Sequence, residues 1–284
     1  VWQGLEGSQP QQRALDFSPD GRWLAVLETQ GVVVYRCGSG GLQSPRQLAC
    51  PNPRQVRFSP DGQWLGAVAE FNKGYREARL WRCQGEPADW KLQALPEAAL
   101  GEPERLEFSQ DGRWLCSSLG SQTLVRQLPE GTVRLRLEGQ HSLLGFHPQR
   151  AQLALGTVQH LDVLNLPEGR AVWQGLRHPK ASPGEYRRHL AWAPSGQFLA
   201  DTTLMGSELW DLATGRLALP YLEEPSTSCL AFSPDESLLA VGTERGELLL
   251  YPLPQRTGSG LAVQHQVERE SGWRLDEQGR MGEL

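Results

Sequence analysis

Residues 15–25 read LDFSPDGRWLA, residues 56–66 read VRFSPDGQWLG and residues 106–116 read LEFSQDGRWLC. Three more copies follow: LGFHPQRAQLA at 144–154, LAWAPSGQFLA at 190–200 and LAFSPDESLLA at 230–240. The equivalent aromatic residues of these copies are 38 to 50 residues apart along the chain. A period of about 40 to 45 residues is typical of repeat proteins in which each copy forms one small structural unit.

The first copy shows how one unit folds. Leu15 and Phe17 are two residues apart, so both side chains lie on one face of an extended strand. Residues 18–21, Ser-Pro-Asp-Gly, predict a turn, because Pro sets φ, Asp bonds nearby backbone and Gly accepts positive φ. A second strand then begins at Trp23, and the three β-branched valines and the tyrosine at 32–35 predict a third.

A fourth short strand precedes the next copy, as in WKLQAL at 90–95 and TVRLRL at 132–137. Four strands per unit, with no stretch of helical periodicity between them, predict an all-β fold of antiparallel sheets. At the chain ends the pattern weakens. Residues 273–283, WRLDEQGRMGE, predict the first hairpin of a seventh unit, and residues 261–267 predict an outer strand of the sixth.

The fifth unit carries the clearest resemblance to a known family. Residues 208–216 read ELWDLATGR, with a Trp-Asp pair at Trp210 and Asp211, and the triplet 139–141 is Gly-Gln-His. These features resemble the WD40 family of β-propellers, although the other five complete units lack the Asp of this pair. FSPDG units also occur in TolB-like and other bacterial propellers. The resemblance therefore does not carry over the hydrogen-bond network that WD40 repeats build around that Asp.

The resemblance implies a single domain over residues 1–284, a ring of four-stranded blades. We predict seven blades, the last of them partial and closed by the N-terminal strand, because VWQGL at 1–5 recurs in the outer-strand position at 172–176. Closure of this kind removes open sheet edges. A six-bladed ring is the alternative.

Composition excludes several classes of function. The net charge of -5 and the pI of about 5.8 disfavour a nucleic-acid-binding protein, which needs a basic surface. No run of eighteen apolar residues occurs, so we expect no membrane span. The five cysteines form no Cys-x-x-Cys pair, which indicates reduced thiols and a cytoplasmic location.

Several recurrent residues have a structural explanation. Trp23, Trp64 and Trp114 open the second strand of successive units, so we interpret them as core between units rather than as a ligand platform. The Asp residues of the Ser-Pro-Asp-Gly turns are explained by turn chemistry. One residue of each innermost strand points to the opposite face from its apolar neighbours. Four of these are charged with alternating sign, which predicts a chain of ion pairs: Arg274, Asp16, Arg57 and Glu107.

No catalytic motif is present: the sequence has no His-x-His or His-Glu-x-x-His, no nucleophile elbow and no phosphate loop in a strand–helix context. We therefore predict no catalytic residues, no cofactor and no metal site. A metal site assembled from several blades would not be visible in sequence spacing, and this keeps a propeller-type hydrolase or lactonase open as an alternative.

Two long loops combine cations with aromatic residues, FNKGYREA at 71–78 and RHPKASPGEYRRH at 177–189. In the WD40 arrangement both loops open on one face. Arg and Tyr are favoured at interface hot spots. We predict a docking surface for an acidic protein segment, formed by Phe71, Lys73, Tyr75, Arg76, Lys180, Tyr186, Arg187 and Arg188.

These observations together predict a non-catalytic interaction or sensor scaffold, monomeric, whose partner is another protein or another domain of the same polypeptide. Because the chain starts at Val1 without a methionine, we expect it to be a module of a larger multidomain protein. A periplasmic TolB-like accessory protein is a further alternative.

Overall fold

The computed structural model describes residues 15–70, 76–93, 95, 103–119, 122–139, 141, 143–157, 160–176, 189–203, 206–223, 227–254, 273–275 and 281–283. Within these ranges the chain forms twenty-five strands and no helix. Every pair of neighbouring strands in the sheets is antiparallel. The all-β prediction is confirmed for this part of the molecule.

The strands form sheets in chain order. Sheet 1 consists of β1 (Leu15–Phe17), β2 (Trp23–Glu28), β3 (Gly31–Gly38) and β4 (Gly41–Ala49). Sheet 2 consists of β5 (Gln55–Phe58), β6 (Trp64–Glu70), β7 (Arg76–Arg82) and β8 (Lys91–Gln93). Sheet 3 consists of β9 (Pro103–Phe108), β10 (Trp114–Leu119), β11 (Gln122–Gln127) and β12 (Thr132–Glu138).

Sheet 4 consists of β13 (Leu143–Phe146), β14 (Gln152–Gly156), β15 (Leu161–Asn165) and β16 (Ala171–Leu176). Sheet 5 consists of β17 (His189–Trp192), β18 (Phe198–Thr202), β19 (Ser207–Asp211) and β20 (Arg216–Leu217). Sheet 6 has three described strands, β21 (Thr227–Phe232), β22 (Leu238–Thr243) and β23 (Leu248–Pro252). The predicted hairpin near the end of the chain is β24 (Trp273–Leu275) paired with β25 (Met281–Glu283).

The Ser-Pro-Asp-Gly segments form the predicted turns, and the first of them shows the bonding. Ser18 Oγ donates to Asp20 Oδ1 over 2.6 Å and accepts the N–H of Trp23 at 2.9 Å. Asp20 Oδ1 also accepts the N–H of Arg22, and Gly21 has a positive φ of 68°. The Ser–Asp hydrogen bond recurs in sheets 2, 3 and 6, between Ser59 and Asp61, Ser109 and Asp111, and Ser233 and Asp235. The interpretation of these Asp residues as turn residues is confirmed.

Apolar clusters lie between successive sheets, one for each neighbouring pair from sheet 1 to sheet 6. Trp23 belongs to the cluster between sheets 1 and 2, Trp64 to the next and Trp114 to the third. All three side chains are buried, which confirms their interpretation as core between units. A sheet this thin gains its stability from its neighbours, since neither of its faces can be covered from within.

Contacts between the innermost strands show which sheets are neighbours. β1 contacts β5, β5 contacts β9, β9 contacts β13, β13 contacts β17, and β17 contacts β21. The turns of neighbouring sheets also touch at one end of the strands. Gln149 Nε2 donates to the carbonyl oxygen of Pro194, and Ser195 donates its N–H and its hydroxyl to the Glu236 carboxylate. Six sheets therefore follow one another side by side around a common inner edge.

Candidate functional site

The ends of the strands define two rims. The turn rim carries the turns at 18–22, 59–63, 109–113, 147–151, 193–197 and 233–237. The contacts above join the last three of these turns. The loop rim is formed by the opposite ends of the same strands. β6 ends and β7 begins there, so the loop of residues 71–75 leaves sheet 2 at the loop rim.

Of the eight residues predicted to bind a partner, the structure describes Arg76. The other seven lie outside the described residues: Phe71, Lys73, Tyr75, Lys180, Tyr186, Arg187 and Arg188. Arg76 is the first residue of β7 and pairs in register with Glu70, the last residue of β6. The position of Arg76 at the base of the 71–75 loop therefore follows directly from the antiparallel pairing of these two strands.

Glu70 joins two arginines at the base of that loop. Its Oε2 accepts a hydrogen bond from Arg54 Nε and another from Arg76 Nε, the latter at 3.4 Å. The backbone of Glu70 is also held, because its N–H donates to the carbonyl oxygen of Pro51 and its own carbonyl accepts Asn52 Nδ2. The segment that links sheets 1 and 2 is thus bound to the root of the loop.

This arrangement leaves a local excess of positive charge. The hydrogen bond from Arg54 is the main reason that the pKa of Glu70 lies below its usual value, and the charge of Arg76 acts in the same direction. The carboxylate is therefore ionised near neutral pH and balances one of the two guanidinium charges. An arginine has five N–H donors, and Glu70 takes only the Nε of each. The group can offer further donors to an anionic partner.

Sequence reasoning missed Arg54 and Glu70. Glu70 had a usable signal, because an acidic residue and a basic residue that flank a loop between two antiparallel strands face each other across it. Arg54 had none, since its contact with Glu70 depends on how the linker between sheets 1 and 2 lies against β6.

The turn carboxylates are committed to backbone and hydroxyl donors. The Ser18 hydroxyl is the main reason that the pKa of Asp20 is lowered. The Ser233 hydroxyl, with the N–H and hydroxyl of Ser237, lowers the pKa of Asp235 to about 2. A general acid must hold a proton near neutral pH, and these environments favour the ionised form.

The described histidines have separate partners. His141 Nδ1 is 3.0 Å from Thr123 Oγ1, and His160 Nε2 is 3.3 Å from Asp162 Oδ2. His147 lies against the Trp192 ring, with 4.7 Å between the ring centroids. Over the residues that the structure describes, no three His, Cys, Asp or Glu side chains come together in a way that could hold a metal ion. All five cysteines are free thiols.

Part of the predicted chain of ion pairs is present near the inner edge. Arg57 and Glu107, on neighbouring innermost strands of sheets 2 and 3, form an ion pair. Asp16 Oδ2 accepts the backbone N–H of Phe58 at 2.7 Å, which ties sheet 1 to sheet 2. The side chain of Arg274 lies outside the described residues, so its pairing with Asp16 stays a prediction.

No described segment forms a helix with the length and apolar character that crossing a bilayer requires. No protein-family model matches the chain. The chain is similar to telomerase protein component 1 of Mus musculus, with 30% identity over 93 residues. The similar stretch is 32% of this chain and 3% of the mouse protein. The chain therefore spans only a small part of that relative.

Proposed function

We propose that the chain is a seven-bladed WD40-like β-propeller that acts as a non-catalytic scaffold for a protein partner. The observation that carries the binding role is the Arg54–Glu70–Arg76 group, which holds excess positive charge at the root of an aromatic and cationic loop. The repeated sheets supply a stiff body for this loop. The partial similarity to a component of telomerase, by its name part of an assembly, is consistent with a protein partner.

The seventh blade is supported by the two ends of the row of sheets. Leu15 and Phe17 on sheet 1 are 40% and 54% exposed, whereas their counterparts on sheet 2, Val56 and Phe58, are buried. At the other end, Leu248 and Leu250 on β23 are 67% and 56% exposed. Direct packing of sheet 6 on sheet 1 would bury all four of these side chains, so a six-bladed ring fits poorly.

One more blade placed between sheets 6 and 1 would cover both apolar faces. The hairpin of β24 and β25 provides two strands for it, and residues 1–14 are available for its outer strand. The exposed apolar faces of sheets 1 and 6 would then each pack against a neighbouring blade, as the faces of the other sheets do.

The partner that fits the loop rim is an acidic segment of another protein, or of another domain of the same polypeptide. Oppositely charged surfaces steer association and raise its rate. Loops at the ends of rigid sheets are common binding platforms. We further propose a monomeric domain in the cytoplasm, where free thiols such as those of this chain are the normal state.

The test uses a photo-crosslinking amino acid placed at Asn72 in the full chain, inside cells of the source organism. We expect a defined protein to be cross-linked and to be lost when Arg54→Glu and Arg76→Glu are combined. The matched control carries the same probe at Arg113, an exposed residue on the turn rim. The same products from both positions, or no effect of the charge reversals, would refute the proposed docking surface.

A further inference from the structure

A concave surface lies on the turn rim of sheet 4, at the opposite end of the strands from the loop rim. It is a depression of about 480 Å³ between the turn at 147–151 and the hairpin at 165–170 that joins β15 to β16. It is lined by the polar side chains of Arg150, Gln152, Asn165, Glu168 and Arg170, together with Ala151 and Leu166. Five of the seven lining residues therefore have side chains that can form hydrogen bonds with a polar ligand.

The walls of the depression are fixed by hydrogen bonds. The N–H of Leu166 donates to the carbonyl oxygen of Ala151, which ties the hairpin to the turn. Asn165 donates its N–H to the carbonyl of Arg170 and closes the hairpin. Across the two strands, Gln152 Nε2 donates to Asn165 Oδ1 at 2.9 Å. The site therefore exists before a ligand arrives, and this reduces the entropy cost of binding.

The charges in the depression are unbalanced. Two guanidinium groups line it, Arg150 and Arg170, against one carboxylate, Glu168. Among the described residues, neither arginine has a carboxylate oxygen within 4.0 Å.

Hydrogen bonds to His147 hold the turn that carries Arg150. Burial lowers the pKa of His147 to about 4, and the positive charge of Arg150 contributes to this shift. His147 Nδ1 accepts the backbone N–H groups of Gln149 and Arg150, at 3.0 and 3.1 Å, so the turn that carries Arg150 is itself held in place. The cation is thus presented from a fixed backbone.

We propose that this depression is a binding site for an anionic group, a carboxylate or a phosphate carried by a peptide segment, with Arg150 and Arg170 as its ligands. Planar guanidinium groups bind both kinds of anion through paired N–H···O hydrogen bonds. The site is separate from the loop rim, so it gives the scaffold a second contact point with its own chemistry.

The experiment follows the arginine Nε–H signals of the full ¹⁵N-labelled chain by NMR. A hexaglutamate peptide tests the carboxylate, and inorganic phosphate tests the phosphate, each added at low ionic strength. We expect the signals of Arg150 and Arg170 to shift with at least one of these probes. The probe that binds more tightly identifies the kind of anion.

Matched variants connect the shifts to the site. Arg150→Gln and Arg170→Gln should each weaken binding about tenfold, since each removes a charged hydrogen-bond donor. Arg113→Gln, on the turn rim of sheet 3, should leave binding unchanged. Arg150→Lys keeps the charge and loses the paired hydrogen bonds, so it reports on the site even if a glutamine variant is unstable.

Three results would overturn the proposal. The first is the absence of any shift with either probe. The second is equal shifts at Arg22 and Arg113, which would indicate unspecific attraction of anions. The third is undiminished binding in the Arg150→Gln Arg170→Gln double variant, with a thermal melt showing that the variant is folded.

Discussion

The turn rim and the loop rim are opposite ends of the same strands, yet they are built on different principles. On the turn rim, the same few hydrogen bonds recur from sheet to sheet, as in the bonds of Ser18 and Ser59 to the Asp two residues later. On the loop rim, the connections differ in length and composition, and the Arg54–Glu70–Arg76 group is tied to one loop. Repetition on one rim fixes the scaffold, and variation on the other leaves room for a specific partner.

The largest expected effect is on the free energy of unfolding, through the apolar clusters between the sheets that carry both rims. Trp64 lies in the cluster between sheets 2 and 3. Trp64→Ala should lower the free energy of unfolding by about 3 to 5 kcal/mol, because it leaves a cavity between two sheets. Urea unfolding measures this loss. Leu92→Ala, at an exposed position on the outer strand β8, is the control and should cost under about 0.5 kcal/mol. Similar losses in the two variants would contradict the role of Trp64.

The next effect tests whether the row of sheets closes. If a seventh blade covers the ends, Phe17→Asp and Leu250→Asp each place a carboxylate in an apolar interface and should cost at least about 2 kcal/mol. Leu92→Asp, whose side chain is 52% exposed, is the matched control. Equilibrium unfolding of the full chain compares the three variants. Losses no greater than that of Leu92→Asp would show that both end faces stay in water.

A smaller effect is expected on partner affinity, which should respond to charge reversal on the loop rim but not on the turn rim. Arg54→Glu with Arg76→Glu should weaken association with the cross-linked partner at least about tenfold, or ~1.4 kcal/mol, because the site changes sign. Titration calorimetry measures the affinity. Arg22→Glu with Arg113→Glu introduces the same charge change on the turn rim and should preserve it. A partner that responds equally to both pairs recognises net charge rather than the loop rim.

The smallest effect is the pH dependence of stability that His147 adds to the turn rim. His147 occupies the place that Ser holds in the turns of sheets 1, 2, 3 and 6, and its pKa is lowered to about 4. The unfolded chain, with an ordinary His pKa of about 6.5, then binds more protons between pH 4 and 6.5. Stability gained from neutral His147 is complete above pH 6.5 and is lost as the pH falls toward 4, with a slope of at most about 1.4 kcal/mol per pH unit.

The variant His147→Ser provides the comparison, since serine holds this place in four other turns and does not titrate in this pH range. Denaturant unfolding at pH 4.5, 5.5 and 7.0 should show the stability of the variant changing less with pH than that of the natural chain. A constant difference between the two proteins over this range would mean that His147 does not titrate as proposed.

Much of this fold could be predicted from the sequence because its information is local. The spacing of Leu15 and Phe17 predicts the face they share, and the register with β2 places them opposite Val26 and Leu24 on that face. The Ser-Pro-Asp-Gly turns and the buried tryptophans follow from the same repeat. The hairpin of β24 and β25 was also visible, although its unit is the most divergent.

The contacts between sheets could not be predicted in this way. The bond of Arg54 to Glu70 and the depression beside Arg150 both depend on segments that the sequence pattern treats as connections. Strand lengths in the outer positions also vary beyond the repeat: β4 has nine residues and β20 has two. The side chains of an outer strand are mostly exposed, as in β4, so its length is less constrained by packing.

The pair of hydrogen bonds between Ser195 and Glu236 has a mechanical consequence. The carboxylate holds both the N–H and the hydroxyl of Ser195, so the turns of sheets 5 and 6 are joined by two bonds that share one side chain. Under a force that pulls sheet 6 away from sheet 5, both bonds would be loaded at the same time. We therefore expect this seam to resist mechanical separation more than a seam joined by a single hydrogen bond between its turns.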